Sequence, residues 1–379
     1  MSAALFPAVP PLDAGAMEAA RRRWATRAEP PGALGRLEDL AVHLAGVAGR
    51  CPPPVPSAPA VAVFAGDHGV VADGASAWPS AVTGAMVATM EAGGAAICVL
   101  AEGIGATVTI VDVGVASALG HLPDVRGERV RPGTASIARG PAMTAAEATA
   151  AVEVGIRIAG ELVDSGADCL IGGDMGIGNT TAAAALIGTL CEQPADAVTG
   201  PGAGVPAGGA EHKQELVAAA MRQAEGCVDP LELLARLGGL EIAALAGFYA
   251  AAAGRRTPFI VDGAIACSAL CAADLLSPGT ARHAIAGHLS AEPAAAIALE
   301  HLGLRPLLDL DLRLGEGTGA CLAFPLVRAA AAALGQMAEL PTEGPAASTG
   351  RASDRRGTAP RRSAGHALIQ SFNRCYYYS

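Results

Sequence analysis

Between about residue 59 and residue 300 the apolar positions fall into two alternating textures. Short apolar runs end in glycine or a polar residue, at 60–65, 107–113, 169–171, 197–199, 259–261 and 283–286. Longer alanine-rich stretches separate them, among them one from residue 145 to about 163 and another over 240–254. Runs of the first kind read as buried strands and stretches of the second kind as helices. Their alternation predicts an α/β fold, a Rossmann-like, doubly wound parallel sheet with helices on both faces. Thr144 and Glu147 have the spacing of a capping box for the helix that starts at Ala145. Ligands of such sheets gather beyond the carboxyl ends of the strands. Polar residues stand at those ends: Asp67, His68, Asp112, Asp174, Asp262, His288, Ser290 and Glu292.

The flanks read differently. Residues 13–28 pattern as an amphipathic helix ending near Arg21, Arg22 and Arg23, broken by Pro30, Pro31 and Gly32. A second helix is predicted from near Leu34 to Gly46, before the linker Pro52, Pro53, Pro54. The division that follows is a helical segment 1–49, a Rossmann-like nucleotide-binding domain 50–300, and a segment 301–340. The last joins 1–49 in a small helical domain. Residues 341–379 lack the Ala/Leu texture and hold six arginines, two acids and three of the four tyrosines, which predicts a disordered tail.

Composition narrows the function. The 379 residues are 51% hydrophobic and only 3% aromatic, with 48 glycines, so helices and strands must approach closely. A net charge of −10 argues against a nucleic-acid surface. The longest apolar window, 240–254, carries Glu241 and is too short to span a membrane. Nine scattered cysteines in a chain without a signal-peptide pattern fit a reducing cytoplasm. Cys267 and Cys271 would share a helix face, but no second pair accompanies them, and no metal site is predicted.

Two features carry candidate chemistry. GGDMGIGNTT (172–181) lies between a run read as a strand end, 168–171, and an Ala-rich helix start, 182–186. Gly176 and Gly178 permit close backbone approach, while Asn179, Thr180 and Thr181 add donors at the positive end of a helix. This predicts an anion site; the alternative is a βα turn with glycines for packing alone. The stretch is neither a Walker loop nor a GxGxxG fingerprint. Of 26 basic residues only Lys213 is a lysine. It marks either a site that needs a compact ammonium or a chance survivor of coding bias.

Further clusters are GDHGVVADGASAWPSAVT (66–83), GPGAG (200–204), VDG (261–263), GHLSAEP (287–293), RLGEGTGA (313–320) and EPPGALGRLEDLA (29–41). In this order and spacing, over about residues 29–340, they resemble the nicotinate-nucleotide:dimethylbenzimidazole phosphoribosyltransferases of cobalamin lower-ligand synthesis. The resemblance implies transfer of phosphoribose from nicotinate mononucleotide to 5,6-dimethylbenzimidazole, giving nicotinate and α-ribazole 5′-phosphate. It implies no cofactor and a homodimer. Glu316, between Gly315 and Gly317, matches the family's catalytic glutamate and would take the benzimidazole proton; read without the resemblance, it is equally a helix N-terminal acid.

The same resemblance assigns Gly176, Gly178, Asn179 and Thr180 to the phosphate, with Lys213 neutralising the phosphate or carboxylate. Gly202 and Ala203 would add backbone donors. Ser80, Trp78, Met86 and Leu314 would wall a flat benzimidazole slot, Trp78 being equally readable as a loop anchor. Asp262 and His288 would line the pocket or be satisfied buried groups. Asp174 stands where some members carry glutamate, and would steady the ribose or the benzimidazole. Ala85, Ser136 and Glu29 stand where glutamine, asparagine and lysine are common. Rival readings are phosphoribosyl transfer to another aromatic acceptor and a non-catalytic nucleotide-binding protein.

Overall fold

The computed structural model describes residues 6–202, 204–205 and 208–340. The expectations for Ala203 and for the tail 341–379 lie outside the described residues.

Eight strands are formed: β1 (Pro59–Gly66), β2 (Thr107–Gly114), β3 (Arg126–Gly127), β4 (Cys169–Met175), β5 (Phe259–Val261), β6 (Ala284–Ala286), β7 (His288–Leu289) and β8 (Leu308–Asp309). The first six make one all-parallel sheet in the order β3-β2-β1-β4-β5-β6. This is the doubly wound order of the Rossmann fold, with its switch point between β1 and β4. Helices α1 (Ala14–Trp24) and α2 (Arg36–Ala48) precede the sheet, and α3 (Ala81–Glu91) and α4 (Ala96–Ile104) follow β1. Then come α5 (Ala145–Asp164), α6 (Asn179–Leu190), α7 (Ala195–Val198), α8 (Gly209–Gln223), α9 (Pro230–Leu237), α10 (Leu240–Gly254), α11 (Ala264–Leu276), α12 (Pro293–His301) and α13 (Thr318–Gln336).

Alternation along β1 explains why both faces are covered. Ala60, Ala62 and Phe64 enter a core with α5, α6 and α8–α12. Val61, Val63 and Ala65 enter the opposite core with α1–α4 and α13. The N-terminal helices are tied to α13 by Arg23, whose guanidinium donates to Leu334 O (2.8 Å) and Gly335 O (3.1 Å).

Small residues bring backbones together. An added Cβ on Gly155 of α5 would lie 1.7 Å from Ala244 O of α10, and one on Gly247 would lie 2.1 Å from Val152 O. The two helices therefore pack backbone to backbone, as the scarcity of aromatics suggested. The capping box forms: Thr144 N–H donates to Glu147 Oε2 (2.8 Å) and Glu147 N–H to Thr144 Oγ1 (3.2 Å). Helix α10 matches the window 240–254, and every residue from Leu240 to Ala253 is buried. The spans 81–104 and 318–336 also have the length and hydropathy of a membrane span. The first is two helices parted at Gly93 and Gly94, and the second sets its apolar face on the sheet.

Three local readings are corrected. Residues 197–199 are not a strand; Pro194 and Asp196 start the short helix α7, and three apolar residues carry no period to tell the two apart. The strand expected over 283–286 begins at Ala284, because His283 closes a 3-10 turn. Strand β4 runs on to Met175, and α6 begins at Asn179. Gly172 and Gly173 are thus strand residues rather than turn residues. A Cβ on Gly172 would meet Tyr249 Oη at 2.6 Å, and one on Gly173 would meet Glu316 O at 2.2 Å.

Candidate active site

The turn 176–178 leaves β4 at the switch point, beside the end of β1. Close approach accounts for its glycines: a Cβ on Gly176 would lie 2.3 Å from Gly66 O, and Gly178 has φ +95°. Within the turn, the N–H groups of Asn179 and Thr181 donate to Gly176 O and Gly178 O, and that of Ile177 to Thr83 Oγ1. The amides of Gly178 and Thr180 have no such partner among the described residues. They stand at the positive end of α6, where an anion is favoured.

A cavity of about 410 Å³ opens over this turn. It has the size of a small-molecule site. Of the residues singled out from the sequence, Glu316, Asp174, Gly176, Gly178, Asn179, Thr180, Lys213, Trp78, Met86 and Leu314 line it, as do Ser290 and Glu292 from the strand ends. Ser80, Gly202, Asp262 and His288 do not.

Lys213 is buried on α8 at 1% exposure. Its Nζ donates to Thr180 Oγ1 (3.0 Å) and Gly200 O (2.8 Å), which leaves one N–H for the cavity. Burial lowers its pKa, and the nearby Glu292 charge opposes that shift. Gly202, expected to offer its N–H to a ligand, instead donates it to Glu292 Oε1 (2.8 Å) and accepts from Arg313 Nη1 at its carbonyl (2.9 Å). Its peptide is clamped from both sides, with no room for a Cβ beside Thr180 Oγ1 at 2.6 Å. Glu292 and Arg313 therefore stand at the cavity, along with Ser290; the sequence placed Ser290 and Glu292 at a strand end without giving them a role, and it did not single out Arg313. The signal lay in GHLSAEP and RLGEGTGA, which contain them.

Glu316 follows from three successive left-handed residues, Gly315 (φ +85°), Glu316 (φ +65°) and Gly317 (φ +91°). A non-glycine residue in this region is uncommon and gathers at functional sites. The turn is held by Asp262, whose Oδ2 and Oδ1 accept the N–H groups of Gly317 (3.1 Å) and Ala320 (3.0 Å). Asp262 thus caps α13 from the end of β5, and His288 Nε2 approaches its Oδ1 at 3.3 Å. The Glu316 carboxyl is buried, and its Oε2 has no hydrogen-bond partner among the described residues. Burial raises its pKa; the Ile97 N–H opposes and the Asp262 charge adds to the rise.

Asp174, at the end of β4, is also buried, with Oδ2 accepting from Asn179 Nδ2 (2.9 Å) and Oδ1 unpartnered. Asn179 is thereby turned toward Asp174. Burial first, then the charges of Asp262, Glu241 and Glu316, push the Asp174 carboxyl well above the ordinary range. No group of three or more His, Cys, Asp or Glu is gathered for a metal among the described residues.

By strand order and by the place of its cavity, the molecule is a Rossmann-like α/β protein with a small-molecule site at the switch point of its sheet. The family model described as a phosphoribosyltransferase (DBI_PRT) matches residues 9–343. The nicotinate-nucleotide–dimethylbenzimidazole phosphoribosyltransferase of Salinispora tropica is 49% identical over 352 residues, 89% of this chain and 97% of that protein. Its counterpart in Chloroflexus aurantiacus is 46% identical, over 86% of this chain and 93% of that protein. The crystal structure of the enzyme of that name from Thermus thermophilus superposes with a TM-score of 0.83 at 45% identity, covering 86% of this chain and 97% of that one. The chain belongs to the nicotinate-nucleotide–dimethylbenzimidazole phosphoribosyltransferase family.

Proposed function

We propose that the chain transfers the 5-phosphoribosyl group of nicotinate mononucleotide to 5,6-dimethylbenzimidazole, with Glu316 as general base. The observation that carries this reading is the unpartnered, buried carboxylate oxygen of Glu316 in the same cavity as the glycine turn and Lys213. The C1′–N bond to nicotinate breaks, and its electron pair discharges the pyridinium, so the leaving group needs no acid. A benzimidazole nitrogen forms the new bond to C1′ from the opposite face, which inverts the anomeric centre. The other ring nitrogen gives its proton to Glu316. A base with a raised pKa is suited to that step near neutral pH.

The amides of Gly178 and Thr180, with the Lys213 ammonium, would hold the phosphate. Asp174 would steady the ribose or the base, and Asn179 would orient Asp174. Gly176 would allow the close approach, while Trp78, Met86 and Leu314 would wall the aromatic slot. In this reading Asp262 and Gly202 act behind the contact surface, Asp262 on the Glu316 turn and Gly202 as the clamped peptide beside Lys213. Residues 1–49 with 301–340 form the small domain, supported by the Arg23 ties to α13. A homodimer completes the proposal; light scattering that gave a monomer mass would remove that part.

The test is to incubate the protein with both substrates and follow nicotinate and α-ribazole 5′-phosphate by chromatography with mass detection. Equal amounts of the two products are the expected result. Nucleotide binding without either product would overturn the assignment.

A further inference from the structure

Beneath the cavity floor lies a second polar cluster that does not line it. His68 Nε2 and Glu241 Oε1 are 2.7 Å apart, with both side chains at 1% exposure or less. His68 follows β1 and Glu241 sits in the first turn of α10, so the pair joins the sheet to a core helix. Four glycines close around it. An added Cβ would come to 3.0 Å from Glu241 Oε2 at Gly66, 3.5 Å from His68 Cδ2 at Gly176, 3.1 Å from His68 Cβ at Gly178 and 2.4 Å from His68 Cε1 at Gly239.

This cluster is costly. His68 Nδ1, Glu241 Oε2 and the neighbouring Asp67 Oδ1 are buried without a hydrogen-bond partner among the described residues. A buried pair of this kind is a weak source of stability, because desolvation offsets most of its attraction. Orphaned buried polar atoms in a native structure call for a reason other than packing. The geometry supplies one. The His68 side chain rests against the 176–178 turn on one side of the cavity, its ring beside Gly176 and its Cβ beside Gly178. The chain that carries it continues through a 3-10 turn, Gly69–Asp73, into Ala75, Ser76 and Trp78, the wall on the other side.

We propose that the His68–Glu241 pair is a positioning element for nucleotide binding, fixing the 176–178 turn and the 75–78 wall at the separation that admits a mononucleotide. The inference rests on the nucleotide reading of the cavity given above. Burial disfavours the imidazolium, but the Glu241 charge and hydrogen bond, together with the Asp67 charge, outweigh it and raise the His68 pKa. A charged pair is stiffer than a neutral one, since charge-assisted bonds are about twice as strong.

The test is Glu241→Gln in the full chain, with steady-state kinetics for each substrate and calorimetric titration of nicotinate mononucleotide. The variant keeps the side chain's shape and removes its charge. The expected result is a nucleotide KM and Kd raised about tenfold, as for losing the extra strength of one charge-assisted bond. The benzimidazole KM should stay within about twofold and kcat within about threefold, because the Glu316 turn is untouched. The double variant His68→Asn/Glu241→Gln removes the charge from both members of the pair, and it carries the same expectation if the single variant does not fold. A nucleotide KM and Kd within about twofold of wild type in a folded variant would overturn the inference, as would a rise of about tenfold in the benzimidazole KM together with a fall of about tenfold in kcat. Wild-type protein that bound no nucleotide would instead bring down the functional reading, and the inference with it.

Discussion

Replacing Glu316 by glutamine tests the proposed chemistry most directly. Glutamine keeps the volume of a side chain that is only 3% exposed, and removes the one property a base needs. Oε2 has no partner to lose, so no hydrogen-bond network collapses with it. Burial penalises the carboxylate there, and a neutral amide escapes that penalty. The variant should therefore melt at or above the wild-type temperature. General-base catalysis contributes about 10²–10⁴-fold, so kcat should fall by about 10²–10³-fold, or about 3–4 kcal/mol of transition-state stabilisation. Nicotinate mononucleotide should bind within about threefold of wild type, since the lost interaction is made only in the transition state. The pH profile supplies a second reading. Because the pKa is raised, wild-type kcat should climb with pH along a limb displaced above the ordinary glutamate value of 4.5, and the variant should lose that limb. The assay is product formation at saturating substrates, beside calorimetry for binding. A Glu316→Gln enzyme with kcat within about threefold of wild type would refute the role of Glu316 as base.

Other perturbations probe the rest of the site and the frame. Lys213→Ala should raise the nucleotide KM by about 10–100-fold, the worth of a hydrogen bond to a charged group; an unchanged KM would take Lys213 out of the phosphate subsite. Asp174 has a raised pKa in the folded state, so it favours folding below its ordinary value of 3.8, and that contribution is lost as pH rises through the folded value. Asp174→Asn should therefore flatten the decline of Tm as pH rises above the ordinary aspartate value of 3.8, and an unaltered slope would count against the burial argument. Gly155→Ala should cost at least about 1–3 kcal/mol, read as a lowered urea midpoint, since its methyl would lie 1.7 Å from Ala244 O; an unmoved midpoint would contradict the packing of α5 on α10.

The elements that were legible in the sequence are those whose signal is local. The β1 and β4 runs, the 240–254 helix and the Thr144–Glu147 box each rest on neighbours a few positions apart. The glycine motif was placed correctly at a strand-to-helix junction, but its first two glycines belong to the strand rather than the turn. Gly172 and Gly173 face Tyr249 and Glu316, residues far away in the chain, and no local pattern announces such contacts. The same holds for the Gly202 clamp. Glu292 and Arg313 reach that peptide from 90 and 111 residues away, and Asp262 reaches the α13 terminus across 55 and 58. The residues themselves were thus easier to name than the long-range contacts that fix what each one does.

The contact between α5 and α10 has a consequence for how this chain tolerates change. Where a glycine of one helix faces the main chain of the other, as at Gly155 and Gly247, no rotamer is left to absorb an extra methyl, and the backbone itself must yield. Gly155 and Gly247 should therefore be as intolerant of substitution as Glu316 in a scan that reads survival of function. A map of mutational sensitivity would mark both the frame and the chemistry in one colour. Only a readout that separates the amount of folded protein from the turnover per molecule would tell the two apart.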